Sequence, residues 1–238
     1  MTKKVGVLHT SMVFVNVEPV FKDLFKELLP DVEVIDFVDS GVLAEVNRQG
    51  CITPQSVGRM THMAEAAQDA GVDVIFSACS SLGPAIDTAR KVVQVPIVKI
   101  DDAMAQQAAE KGKEIGVLAT VPTTLEPTSN QIREKAGAMG KEVHIHERLA
   151  EGAFQVLMSG DKEKHDRMVL EGAKALAPEV DILVLAQASM SRLAPMLSRE
   201  TGLEVLTSPR SAVAYLKDFL ERMPDETERT EAQQAATV

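Results

Sequence analysis

Short apolar runs alternate with longer amphipathic stretches along this chain. The runs at 4–9, 32–37, 73–78, 96–100, 115–119, 142–147, 181–186 and 203–207 are mostly rich in Val, Ile and Leu. Nearly continuous apolarity over so short a span predicts strands buried on both faces. Helical patterning is predicted between them, near 17–29, 54–70, 82–93, 102–111, 124–139, 161–176, 190–201 and 209–222. Strand–helix alternation predicts an α/β fold of parallel sheets covered by helices. Local signals mark the helix ends. Thr53-Pro54 reads as an N-cap followed by Pro at the first helical position. Asp101 is placed to cap the helix beginning at Asp102. Gly71 and Gly202 sit where helices should stop.

The pattern also repeats. Lys3-Lys4-Val5-Gly6-Val7-Leu8-His9-Thr10 matches Lys113-Glu114-Ile115-Gly116-Val117-Leu118-Ala119-Thr120, 110 residues later. Glu18-Pro19 matches Glu126-Pro127 at an offset of 108. The same offset aligns Val72-Asp73-Val74-Ile75-Phe76-Ser77-Ala78-Cys79-Ser80-Ser81 with Val180-Asp181-Ile182-Leu183-Val184-Leu185-Ala186-Gln187-Ala188-Ser189. Two copies are too few for a solenoid and predict two similar lobes facing each other. Residues 1–100 plus 208–222 are expected to form the first lobe and 101–207 the second. The polar stretch 223–238 is expected to be a flexible tail. Ligands of open parallel sheets bind beyond the carboxyl ends of the strands. That rule points to four loops meeting at one cleft. They are His9-Thr10-Ser11 and Cys79-Ser80-Ser81 from one lobe, and Ala119 to Thr124 and Gln187-Ala188-Ser189 from the other.

Composition narrows the function. The 238 residues carry a formal net charge of −10 with no basic stripe, which makes a poor phosphate-backbone binder. Aromatic residues are only 3%, too few for base-stacking platforms. The expected partners are a small-molecule carboxylate and further copies of the chain, with no nucleic acid and no membrane. Two Cys, 28 residues apart, make neither a disulfide framework nor a zinc site. Neither a signal-peptide apolar region nor a run of about 18 apolar residues is seen, so the cytoplasm is the expected compartment. Dinucleotide and phosphate-loop glycine fingerprints are lacking too, so no cofactor is expected.

Three segments resemble the aspartate/glutamate racemase superfamily, which includes hydantoin racemases, maleate isomerases and arylmalonate decarboxylases. They are Ser77-Ala78-Cys79-Ser80-Ser81, Gly116 to Thr124, and Val184-Leu185-Ala186-Gln187-Ala188-Ser189-Met190. The resemblance covers roughly residues 3–222. It implies two cysteines on opposite faces of the substrate α-carbon, one removing a proton and the other returning it. The first is Cys79. The second position holds Gln187, which cannot be a proton-transfer base near neutral pH. The Asn and Thr that commonly follow the first cysteine are Ser80 and Ser81 here.

Cys79 ends an apolar run and precedes a helix, where the dipole and free N–H groups favour a thiolate suited to a base or nucleophile. Its bland alternative is a buried, inert small hydrophobe. His9 has no counterpart in the repeat. It is a candidate for the missing acid–base partner, or a polar loop residue. Thr10, Ser11, Ser80, Ser81, Thr120, Val121, Pro122, Thr123, Thr124, Gln187, Ala188 and Ser189 are the candidate substrate-binding set. Helix capping is the competing role for the hydroxyls. Met12 and Met190 are placed to shape an apolar pocket wall. His144 and His146 read as surface strand residues, His165 as solvated, and Cys51 as an incidental thiol. No metal ligand set is expected.

These features predict proton transfer next to a carboxylate by an isomerase or racemase using a single cysteine. Decarboxylation or lyase chemistry on a malonate-like or unsaturated diacid is the first alternative. A non-catalytic carboxylate-binding protein is the second.

Overall fold

The computed structural model describes residues 2–12, 15 and 20–224. Its strands form two parallel four-stranded sheets. The first contains β1 (Lys4–His9), β2 (Glu33–Val38), β3 (Val74–Ser77) and β4 (Ile97–Lys99), in the order β2-β1-β3-β4. The second contains β5 (Glu114–Ala119), β6 (His144–Leu149), β7 (Ile182–Leu185) and β8 (Glu204–Thr207), in the order β6-β5-β7-β8. Every predicted strand is present with bounds moved by at most two residues. The repeat is therefore one unit built twice. Val5 pairs with Val34 and Val74, and Ile115 pairs with Ile145 and Ile182.

The helices are α1 (Val20–Leu28), α2 (Val42–Gln49), α3 (Pro54–Asp69), α4 (Gly83–Ala89), α5 (Asp102–Lys111), α6 (Pro122–Ala138), α7 (Ala153–Met158), α8 (Lys162–Leu176), α9 (Ala194–Thr201) and α10 (Ser208–Arg222). The predicted helix starts at 82 and 190 fall in 3-10 turns, Ser80–Leu82 before α4 and Ala188–Leu193 before α9. Short α2 and α7 follow β2 and β6, where loops were expected. Residues 17–19 of the first predicted helix, and 225–238 of the expected tail, lie outside the described residues. Among the described residues, no helix is long and apolar enough to cross a membrane.

Each sheet is packed on both faces. Val5, Val7 and Phe76 meet Phe21 and Phe25 of α1 and Val213 and Leu216 of α10. Both α1 rings stand edge-on to Phe76, at centroid distances of 5.6 and 5.9 Å. The opposite face packs Leu8 and Ile75 against Met60 and Ala64 of α3 and Ile86 of α4. The repeated glycine has a packing cause. A Cβ on Gly6 would stand 3.2 Å from the Ala67 Cβ, and one on Gly116 would stand 2.9 Å from Leu183 Cδ2. In the first lobe α3 thus comes down on β1 where Gly stands, and in the second the Leu183 side chain of β7 takes the space over Gly116.

The Thr53 cap forms as expected, with Thr53 Oγ1 accepting from Ser56 N at 3.1 Å and Ser56 Oγ accepting from Thr53 N at 2.9 Å. Gly71 and Gly202 adopt φ of 72° and 74° at their helix ends. Asp101 does not cap α5: its side chain makes no cap bond. His165 is fully buried rather than solvated. It lies with Val169, Ala173 and Leu176 on the inward stripe of α8, with Nδ1 2.8 Å from Asp166 Oδ1. The surrounding charges belong to the other face of that helix. Met190 lies wholly in the second lobe's core and Met12 is exposed, so neither walls the pocket expected of them. His144 is exposed on β6, and His146 holds Glu114 and Glu179 at 2.7 and 3.3 Å.

The lobes are joined at Asp102. Arg90 of α4 donates to its Oδ2 at 2.8 Å, and Gln131 of α6 donates to its Oδ1 at 2.8 Å.

Candidate active site

The carboxyl ends of β1, β3, β5 and β7 converge on an inter-lobe cavity of about 100 Å³. His9, Thr10, Ser11, Cys79, Ser80 and Ser81 of the first lobe line it. Val121, Thr124, Gln187, Ala188 and Ser189 face them from the second. The two unforeseen helices cover it, α2 through Leu43 and Asn47 and α7 through Phe154. Thr120, Pro122 and Thr123 do not line this cavity. They line a larger vestibule of about 1040 Å³ beside it, with exposed Cys51 and Met158. Asn47, Ser81, Val121 and Phe154 are walls of both spaces. The boundary is bonded. Thr123 Oγ1 donates to Asn47 Oδ1 at 2.9 Å and lies 3.3 Å from Ser81 Oγ.

Cys79 is half-buried where β3 gives way to the 3-10 turn. Burial pushes its thiol up, against the pull of the Thr10 hydroxyl and of the Leu82 and Ser81 N–H groups, and the Asp101 charge adds to the rise. Burial thus works against the expected stabilised thiolate. The short turn supplies two N–H groups, too few to offset the loss of water.

Asp101, expected to cap α5, instead stands behind the cavity wall formed by Ser80. It is only 3% exposed and accepts Ser80 Oγ at 3.0 Å. Burial raises its carboxyl from 3.8 to about 7, against the Ser80 bond, and Asp102 adds to the rise while Lys99 opposes it. Its signal was an acid directly after the strand run Ile97-Val98-Lys99-Ile100.

His9 is buried at 4% exposure, with Nε2 2.9 Å from Asp36 Oδ1 on the neighbouring strand. The Asp36 side chain is 53% exposed. Nδ1 of His9 is buried and has no partner. A loop histidine is excluded by its place at the end of β1. Asp36 was also legible, as the one charged residue in Val34-Ile35-Asp36-Phe37-Val38.

Gln187 turns into its own lobe. Its Oε1 accepts Thr120 N at 2.6 Å, Thr120 Oγ1 at 3.2 Å and Val121 N at 3.3 Å, and its Nε2 donates to Thr120 Oγ1 at 3.0 Å. The amide fills the donor nest of the second lobe. Thr124 Oγ1 is likewise committed, donating to Val121 O at 2.8 Å. Capping and internal bonds thus occupy Ser80, Ser81, Thr120, Thr123 and Thr124.

A family model described as Asp/Glu/Hydantoin racemase matches residues 47–216, well over half of the chain. The chain belongs to this family. That makes it an enzyme of the racemase and isomerase type. No curated protein gives a significant match. Solved structures share the fold. A glutamate racemase from Bacillus anthracis superposes with a TM-score of 0.69 at 18% identity, covering 92% of this chain and 82% of its own. Allantoin racemase from Klebsiella pneumoniae gives 0.65 at 16%, covering 92% and 88%. An arylmalonate decarboxylase variant gives 0.55 at 14%, covering 90% and 93%. Within this racemase-family chain, the cleft between the repeated lobes is where the strand ends, the thiol and the buried imidazole come together.

Proposed function

We propose that this protein is a cofactor-independent isomerase that moves a proton at the carbon next to the carboxylate of a small acid, with Cys79 and His9 as its acid–base pair. One observation carries the reading: the Cys79 thiol and an imidazole with an unpartnered, buried Nδ1 wall the same cavity. In neutral His9, the Asp36 carboxylate accepts Nε2–H, which leaves the Nδ1 lone pair as the base. His9 takes the α-proton, and the C–H electron pair moves into the carboxylate to give an enediolate. Cys79 then gives its S–H proton to the opposite face. The resulting thiolate is held by the Thr10 hydroxyl and the Ser81 and Leu82 N–H groups. The imidazolium returns its proton through solvent to reset the pair. The other enantiomer runs the same steps backwards from the thiolate–imidazolium state.

In this reading Gln187 takes the second family cysteine position, which leaves Cys79 as the single thiol of the site. Its amide is tied to the Thr120 nest, so it is neither base nor free anion donor. The carboxylate falls to donors on the cavity wall that carry no such internal bond, chiefly Ser11 and Ser189. Fixed donors in a closed cavity are worth far more than the same donors in water. The locked Gln187 also favours a second reading, decarboxylation. There a C–C bond breaks, CO2 leaves, and Cys79 protonates the enediolate once. Either chemistry fits a cytoplasmic homo-oligomer acting on a small carboxylate.

The test is proton NMR in D2O on a panel of 2-substituted acids with wild type and Cys79→Ser. Deuterium entering the α-carbon, or product forming, with wild type alone supports the proposal. Equal turnover by both proteins would sink it.

A further inference from the structure

The cavity and its vestibule also say which acids fit. Among the described residues, neither space is lined by Lys or Arg. Among the described residues, Glu126, exposed on the vestibule side, is the only Asp or Glu on either wall. A single carboxylate can be held by hydroxyl and backbone donors. A second carboxylate carried on the substituent of the α-carbon would meet no cation, and Glu126 would repel it. In the second lobe, Gln187 already occupies the Thr120 and Val121 N–H groups.

The walls themselves are apolar. Leu43 and Phe154 close the inner cavity, and Val46, Ile52 and Met158 extend the same character into the vestibule. The inner space is about 100 Å³, below the roughly 300–1,000 Å³ of pockets for drug-sized ligands. A carboxylate with its α-carbon fits there, and anything longer reaches the vestibule. Its path crosses the Asn47–Thr123 bond, which joins one lobe to the other at the surface and is cheap to exchange for water.

We infer that the substrate is a monoacid at this end, whose α-carbon bears an uncharged, apolar substituent lodged in the vestibule between α2, α6 and α7. This rests on the reading of the inner cavity as the carboxylate site. It assigns the selectivity to the lack of a counter-cation and to the Leu43, Val46, Phe154 and Met158 surface. Beside these apolar side chains and Glu126, a charged substituent is disfavoured relative to a methyl group.

The experiment is calorimetric titration of the full chain with acetate, hexanoate and adipate, which separate chain length from the second charge. Hexanoate is expected to bind at least ~10-fold more tightly than either of the others, a margin of about 1.4 kcal/mol. Leu43→Arg, a substitution on a half-buried helix face, should reverse the order of hexanoate and adipate. Adipate binding as well as hexanoate, hexanoate binding no better than acetate, or no binding by any of the three would each overturn the inference. If hexanoate binds selectively while no acid exchanges its α-proton, the inference stands and the proposed chemistry falls.

Discussion

Asp101→Asn isolates the cost of the buried acid beside Cys79. The carboxyl moves from 3.8 to about 7 on folding, so ionising it in the folded protein costs about 4 kcal/mol more than in the unfolded chain. Asparagine keeps the oxygen that accepts Ser80 Oγ and removes the charge. The sign follows from linkage. A carboxyl raised on folding holds its proton more tightly in the folded state. Its stabilising contribution is full below 3.8 and is lost as pH rises towards 7. The variant has no such loss. The stability difference, variant minus wild type, should therefore grow by about 2–3 kcal/mol between pH 5 and pH 8. Urea unfolding at both pH values would show this as roughly 1 M in relative midpoint, at an m-value of about 2–3 kcal/mol/M. Other titrating groups cancel in the difference. A difference that stays constant with pH would refute the assignment of Asp101 as the acid that burial keeps protonated.

Other perturbations test other parts of the account. Asp36→Asn should lower α-proton exchange by roughly 10²-fold while hexanoate affinity in the calorimeter is retained, because the variant no longer fixes the His9 tautomer. Gln187→Ala leaves the Thr120 and Val121 N–H groups without their acceptor and should cost about 1–3 kcal/mol in urea unfolding at pH 7. Gly116→Ala places a methyl 2.9 Å from Leu183 Cδ2 and should cost about 1–3 kcal/mol, with a thermal midpoint lowered accordingly.

The fold was largely legible because both sheets are buried on both faces, and buried parallel strands write themselves as apolar runs. The repeat marks the strand ends, and with them His9, Cys79 and Gln187, as belonging to one cleft. The parts that were not legible are short or inverted. Helices α2 and α7 span eight and six residues, with few buried positions, so periodicity over them is weak. They nevertheless supply Leu43, Asn47 and Phe154. His165 was misread because a charged segment hides one inward stripe. Thr120, Pro122 and Thr123 were placed one wall too far inward, since sequence order along a loop does not tell which space each side chain borders. The thiol was misjudged in direction because the outcome depends on burial, which only the packed lobes determine.

The central claim is that Cys79 and His9 serve opposite faces of one α-carbon. Following deuterium incorporation and optical rotation from each enantiomer of an accepted acid tests it most directly, with wild type, Cys79→Ala and His9→Ala. The account predicts that wild type exchanges and inverts both enantiomers, and that each variant loses inversion while retaining at most exchange of one enantiomer, a different one for each variant. Inversion surviving in Cys79→Ala, or both variants sparing the same enantiomer, would contradict it.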